Sequence, residues 1–311
     1  STFSKILLEN NHKVCVIDDL STGRKENLKN LKKNKNLKFI KGNIFNKKLI
    51  NNLVKKNDFI IHLAAAVGVS YIIDNPLKSI LINIKGTEII LDACSKHNKK
   101  ILIASTSEVY GKQNKNKTFN EKSNVIYGPP TIGRWSYAAG KLIDEFLSLA
   151  YFKEKKLKVI IVRFFNVIGP QQLSNYGMVV PRLIEQAIRN KPLTVFGSGK
   201  QTRTFSYIDD INQYLFKLVF SKKNVFGEIF NLGGKENISI NDLAKKIIKI
   251  SKSKSKIKKI NYKKAFKNNY EDMLARKPDL EKIYNLTKYK PIYNLDDMLK
   301  KIIEVKKLQK K

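Results

Sequence analysis

"STFSKILLENNHKVCVIDDLSTG", residues 1–23, is the stretch from which the fold can be read. Ser1 can start a helix, and Phe3, Ile6, Leu7 and Leu8 give that helix an apolar face at helical spacing. Asn10 and Asn11 break the pattern. Val14, Cys15, Val16 and Ile17 then form a short run of the kind a sheet buries on both faces. Asp18 stands where the run ends. Helix, turn, buried strand and acid, in that order, make up the second half of a dinucleotide-binding βαβ unit. The strand and glycine-rich turn that would open such a unit are expected ahead of Ser1.

Outward from this stretch, strand and helix patterns alternate. Apolar runs at 13–17, 37–41, 59–63, 100–104 and 159–164 read as strands, with helical patterns around 49–55, 77–97 and 137–152. Such alternation predicts an α/β fold, a Rossmann-like doubly wound parallel sheet covered by helices. The Lys/Asn tract 25–36 reads as a solvated connector. After Gly169 the rhythm changes. Residues 180–189 are expected to be helical, 192–211 extended and punctuated by glycine, and 229–232 a short strand. A helix follows at 238–250, capped near Ser239 or Asn241, and another at 295–307. The low-complexity run SKSKSKIKK (251–259) reads as a mobile surface turn. The expected division is a nucleotide-binding region over 1–168 and a mainly substrate-binding region over 169–311.

An apolar content of 42% over 311 residues fits a globular chain of one large or two smaller domains. No run is apolar enough for a transmembrane helix, and no secretory-leader pattern is read. Cys15 and Cys94 both fall in apolar patterns, which suggests buried thiols in a reducing cytoplasm. The formal charge of +35 raises the question of a nucleic-acid or membrane partner. The excess is almost all lysine spread along the chain among Asn and Ile, a compositional bias carried on solvated faces. Nucleic acid is therefore not the expected partner. Against that background the few arginines stand out, because Arg offers a bidentate geometry that Lys cannot. They are Arg24, Arg134, Arg163, Arg182, Arg189, Arg203 and Arg276.

The strongest chemical signal is RWSYAAGKLIDE (134–145). Tyr137 and Lys141 are four apart, on one helix face about one turn apart. A phenol alone is a poor base at neutral pH, and a lysine cation beside it favours the phenolate. Taken alone, such a pair is most often an ordinary amphipathic helix. It is not alone here: IASTSEVYG (103–111) is an apolar strand ending in Thr106, Ser107 and Glu108, and strand ends in doubly wound sheets are where ligands bind.

A hydroxyl-bearing strand end followed by Y-x-x-x-K resembles the extended short-chain dehydrogenase/reductases of the NAD-dependent epimerase/dehydratase family. The resemblance runs over nearly the whole chain. It implies NAD as cofactor, with Asp18 on the adenosine ribose, Asn43 and Ile44 at the adenine, and Ala64 and Ala65 where the cofactor approaches. Asn43 departs from the family's usual Asp. The resemblance also implies that Asn166 contacts the sugar-nucleotide diphosphate, that Arg203 holds a phosphate, and that Arg276, in RKPD, holds a second phosphate or a carboxylate. Tyr137 and Lys141 would serve both catalysis and the nicotinamide ribose, with Thr106, Ser107 and Glu108 as their catalytic neighbours. No metal site is expected.

The activity so implied is transient oxidation at C4 of a nucleotide sugar, and the resemblance further implies a UDP-linked substrate and a homodimeric enzyme. Tyr137 would take the O4 proton, Thr106 would orient the hydroxyl, and Lys141 would lower the phenol's pKa. UDP-hexose (UDP-glucose) 4-epimerase ranks first, UDP-glucuronate decarboxylase second. Sugar-nucleotide 4,6-dehydratase ranks lower, because Ser107 occupies the position of that reaction's usual Asp. A non-catalytic polyanion-binding member of the family is the rival of another class. With its opening strand and turn absent, the chain as written is expected to be an N-terminally incomplete version of such an enzyme that binds NAD or folds poorly.

Overall fold

The computed structural model describes residues 1–112, 118–174, 177–266 and 271–309. Four parallel strands form the main sheet, in the order Glu228–Leu232, Val159–Phe164, Lys100–Thr106 and Phe59–His62. Val14–Asp18 and Leu37–Lys41 form a separate parallel pair. Among the described residues, Val14–Asp18 and Phe59–His62 each carry a strand partner on one edge only.

Side chains alternate across a strand, and here both sets are apolar because both faces are covered. Ile101, Ile103 and Ile161 turn to one side, where they pack with Ile50, Val54, Ile90, Leu91 and Cys94. These partners come from the helices Lys47–Lys55 and Pro76–Lys96. Leu102, Ile160 and Val162 turn to the other side and meet Phe3, Ile211, Leu215 and Leu218. Those belong to the helices Thr2–Glu9 and Ile208–Val219. The α/β architecture read from the alternation is the one observed.

A second core lies beyond the strand ends. It is built from Val180, Leu183 and Ile184 of the helix Val179–Ile188, Leu243 and Ile247 of Ile240–Ser251, and Leu299 and Ile302 of Leu295–Leu308. Ser239 caps the middle helix, its hydroxyl accepting from the Asp242 N–H at 3.1 Å. The later part of the chain is shared between the cores. Glu228–Leu232 extends the main sheet, and Ile283 packs beneath it, while the segments on either side belong to the second core.

Two local expectations are corrected. The run 251–259 is not merely a surface turn, because its end enters the strand Ile257–Ile260, which pairs in parallel with Leu193–Phe196. The connector 25–36 contains a 3-10 helix, Lys25–Leu31, anchored by buried Leu28.

Candidate active site

Register brings the C-terminal ends of the main strands together: His62 lies beside Ile103, and Thr106 beside Phe164. A cavity of about 420 Å³ opens at this edge and runs from Ala65 past Thr106, Tyr137 and Lys141 to Asn166, Arg203 and Arg276. Seven residues from six separate stretches of the sequence thus meet in one space, as ligand sites at strand ends of doubly wound sheets do.

Thr106 ends its strand in an extended conformation, and its Oγ1 accepts from the Glu108 N–H at 3.2 Å, starting the turn Ser107–Tyr110. The same hydroxyl hydrogen-bonds the phenol of Tyr137. Burial holds that phenol well above its ordinary pKa, Glu108 and Asp144 add to the rise, and Thr106 and Arg276 oppose it. The helix Trp135–Lys155 carries both Tyr137 and Lys141. Where the sequence places Lys141 as the cation serving the phenol, the structure has its Nζ donating to Asp144 Oδ2 at 2.7 Å.

The other end of the cavity is a cluster of guanidinium groups. Arg276 donates from Nη1 to Glu108 Oε1 at 3.0 Å and to Ser107 Oγ at 3.4 Å. Arg134 Nη2 lies 3.4 Å from Glu108 Oε2. Arg203 donates to Asp272 Oδ1 at 2.7 Å and to the Met273 carbonyl at 2.8 Å. Burial would raise the Glu108 carboxyl, but Arg134, Arg276 and Arg203 outweigh it and hold the group below the usual carboxylate range. Burial, with Arg203 and Arg134 adding to it, pushes Arg276 down to about 10. Three arginines face two acids, so this wall of the cavity keeps a positive excess suited to an anion. Asn166 sits nearby with φ +38°, a left-handed conformation that Asn tolerates, and its Nδ2 donates to the Thr204 carbonyl at 2.9 Å.

The residues expected to hold NAD lie at the strand ends. Asp18 is exposed at the end of its strand, Oδ1 accepting from the Leu20 N–H at 2.7 Å. Gly23 approaches so closely that a Cβ there would come within 2.9 Å of the carboxylate. Ala64 is exposed and Ala65 half-buried just beyond the strand Phe59–His62. Asn43 donates to Asp19 Oδ2 at 3.1 Å, while its Oδ1 accepts from the Phe45 N–H at 2.9 Å. The Ile44 side chain turns inward against Gly86. An exposed acid for ribose hydroxyls, with methyl-sized neighbours that leave room, fits a dinucleotide.

Residues 1–302 match the family model described as GDP-mannose 4,6 dehydratase. The chain belongs to the NAD-dependent epimerase/dehydratase family. Within this NAD-dependent family, it is 34% identical over 305 residues to a UDP-N-acetyl-alpha-D-glucosaminuronate decarboxylase of Bacillus cytotoxicus, covering 98% of this chain and 93% of that protein. UDP-glucuronic acid decarboxylase 1 of Xenopus tropicalis is 32% identical, over 96% of this chain and 67% of that one. Among solved structures, a UDP-glucuronic acid 4-epimerase from Bacillus cereus, in complex with UDP-glucuronic acid and NAD, superposes with a TM-score of 0.88. It is 31% identical, with 99% of this chain and 95% of that one covered.

Several cavity residues of this family member were not singled out by motif. Arg134 precedes Tyr137 by three positions, and its signal was the rarity of arginine in a lysine-rich chain. Arg182 carries the same signal; it donates to the Thr194 carbonyl at 2.7 Å and stacks over Phe196 at 4.2 Å. Asp144, which does not line the cavity but bonds Lys141, could have been found from its i,i+3 spacing to that residue. No group of metal-ligating side chains occurs among the described residues.

Proposed function

We propose that the chain is a nucleotide-sugar uronate decarboxylase, acting on a UDP-linked glucuronic or N-acetylglucosaminuronic acid. The observation that carries this reading is Arg276, buried in the cavity wall and bridging Ser107 and Glu108 close to Thr106 and Tyr137. A sugar hydroxymethyl group needs no cation, whereas a uronate carboxylate does. The two decarboxylase relatives support the same reading. It reverses the order read from the sequence, in which UDP-glucose 4-epimerase stood first.

When bound, NAD takes up and returns the two electrons of oxidation at C4. Tyr137 accepts the O4 proton in that oxidation, with Thr106 orienting the hydroxyl. A C4 ketone makes the uronate a β-keto acid. Its C5–C6 bond can then break, the electron pair passing into a C4–C5 enolate as CO₂ leaves. A proton must next reach C5, and Tyr137 returns a proton to O4 when the ketone is reduced. Asp18, Ala64 and Ala65 would border the cofactor, with Asn43 and Ile44 at its adenine end and Lys141 at its nicotinamide ribose. Asn166 and Arg203 would face the diphosphate.

A UDP-glucuronate 4-epimerase is the second reading, favoured by the Bacillus cereus structure. The same arginine would hold the carboxylate, and only the fate of the ketone differs. Incubation with NAD and UDP-glucuronate, UDP-N-acetylglucosaminuronate or UDP-glucose, followed by NMR and CO₂ detection, separates these outcomes. CO₂ and a pentose product support decarboxylation, and a 4-epimer that keeps its carboxylate supports the second reading. Turnover of UDP-glucose alone sinks both.

The homodimer is part of this proposal. Leu77 and Leu81 on one helix, and Ile143 and Phe146 on the helix packed against it, are exposed and are the first candidates for a contact. A monomer by light scattering would remove it. The cytoplasmic placement is supported by Cys15 and Cys94, both free thiols. No helix among the described residues is long and apolar enough to cross a membrane.

A further inference from the structure

Lys141 and Asp144 form an ion pair at 2.7 Å with side chains only 3% and 0% exposed. A lysine charge spent on a carboxylate cannot lend its full field to a phenol, because at a distance the pair is close to neutral. None of the steps described above uses Asp144.

The surroundings of the pair narrow what Asp144 can do. Glu145, the next residue, is taken up by Arg163 of the neighbouring strand at 2.6 Å and by Ser105. Thr87, from the helix Pro76–Lys96, also faces Asp144. His62, ending the strand Phe59–His62, meets Thr87 Oγ1 at 3.2 Å. Burial, and then Lys141, push His62 down to about 3, so it stays neutral and adds no charge. Tyr137 is faced by Glu108 and Arg276 from the other wall, by Thr106 from the strand end, and by Asp144. Asp144 is therefore the acid on the phenol's own helix that acts both on Lys141 and on Tyr137.

We propose that Asp144 is a positioning residue of the Tyr137–Lys141 couple: it fixes the ammonium group and, through its own charge facing the phenol, sets how readily Tyr137 gives up its proton. The proposal deepens the reading of Tyr137 as the base. It does not depend on which sugar is turned over. A phenol must be ionised to accept a proton, so turnover rises with pH through its pKa. Removing the Asp144 charge while keeping its shape frees the Lys141 cation and deletes a negative neighbour. Both changes favour the phenolate.

The test is a pH titration of tyrosinate absorbance in the NAD-bound enzyme, each variant being read against its Tyr137→Phe counterpart to isolate this phenol. Asp144→Asn is expected to ionise Tyr137 roughly one pH unit lower than the wild type, about a tenfold gain in phenolate at a fixed pH below the transition. The acid limb of kcat should move the same way with KM little changed, and Asp144→Glu should restore the wild-type position. An unmoved ionisation in folded Asp144→Asn overturns the proposal. That variant leaves a buried lysine without its counter-charge and can fail to fold. The double variant Lys141→Met/Asp144→Asn removes both charges and is compared with Lys141→Met. Ionisation at lower pH in the double variant supports the proposal; identical titrations overturn it. Failure of the uronate reading would show instead as absent CO₂ release with these titrations unchanged.

Discussion

Arg276 reaches across the sequence to Glu108, Nη1 to Oε1 at 3.0 Å, and so ties the late RKPD segment to the strand end that carries Thr106. If the guanidinium also receives the substrate carboxylate, Arg276→Ala should cost about 1.5–3 kcal/mol of uronate recognition, the scale of a charge-assisted hydrogen bond. That corresponds to roughly 10- to 150-fold in kcat/KM. Arg276→Lys keeps the charge but not the fork, and should recover only part. An unchanged kcat/KM for UDP-glucuronate in Arg276→Ala would remove this residue from substrate recognition.

Tyr137→Phe keeps the ring in its packing and deletes the proton acceptor. Turnover should fall at least ~10²-fold, the scale of lost general acid–base help. Nucleotide-sugar affinity, measured by calorimetry, should hardly change. A wild-type rate would assign the proton transfer elsewhere.

Glu108→Gln leaves the neighbouring arginines without one of their acids. The folded Glu108 carboxyl is depressed by those arginines against its burial, so its stabilisation is complete above the unfolded value near ~4.3. It is lost as pH falls through the lower folded value. Glu108→Gln should thus be destabilised at neutral pH, and the gap to the wild type should narrow on acidification below about 4. Thermal unfolding across pH reads this directly, and a constant gap would contradict it.

Behind the cavity, Arg163 holds Glu145 through two hydrogen bonds, at 2.9 and 2.6 Å. Breaking one side of such a buried pair costs about 3–5 kcal/mol, because the other charge is left stranded. Arg163→Met should therefore unfold in markedly less urea than the wild type. Combining it with Glu145→Gln should return part of the loss, and a double variant weaker than the single would argue against stranded charge as the cause.

Much of the cavity was legible in the sequence because its parts are local patterns. Thr106 ends an apolar run, Tyr137 and Lys141 share a helix face, and Arg203 and Arg276 stand out among lysines. The partners of those residues were not legible. That Lys141 also bonds Asp144 depends on burial, which spacing does not report. The strand Ile257–Ile260 was hidden for a related reason. Its two exposed lysines, Lys258 and Lys259, look like loop composition, and its hydrogen bonds come from Leu193–Phe196, far away in sequence.

The threading of the chain has a consequence for how the molecule comes apart. The chain leaves the main sheet after Phe164, enters the second core, returns through Ile208–Val219 and Glu228–Leu232, goes back with Ile240–Ser251, and returns again at Ile283 before ending in the second core. Neither core can melt without pulling segments out of the other. Calorimetry should accordingly show one cooperative transition, with equal calorimetric and van't Hoff enthalpies. Limited proteolysis should release no fragment that keeps a folded core of its own.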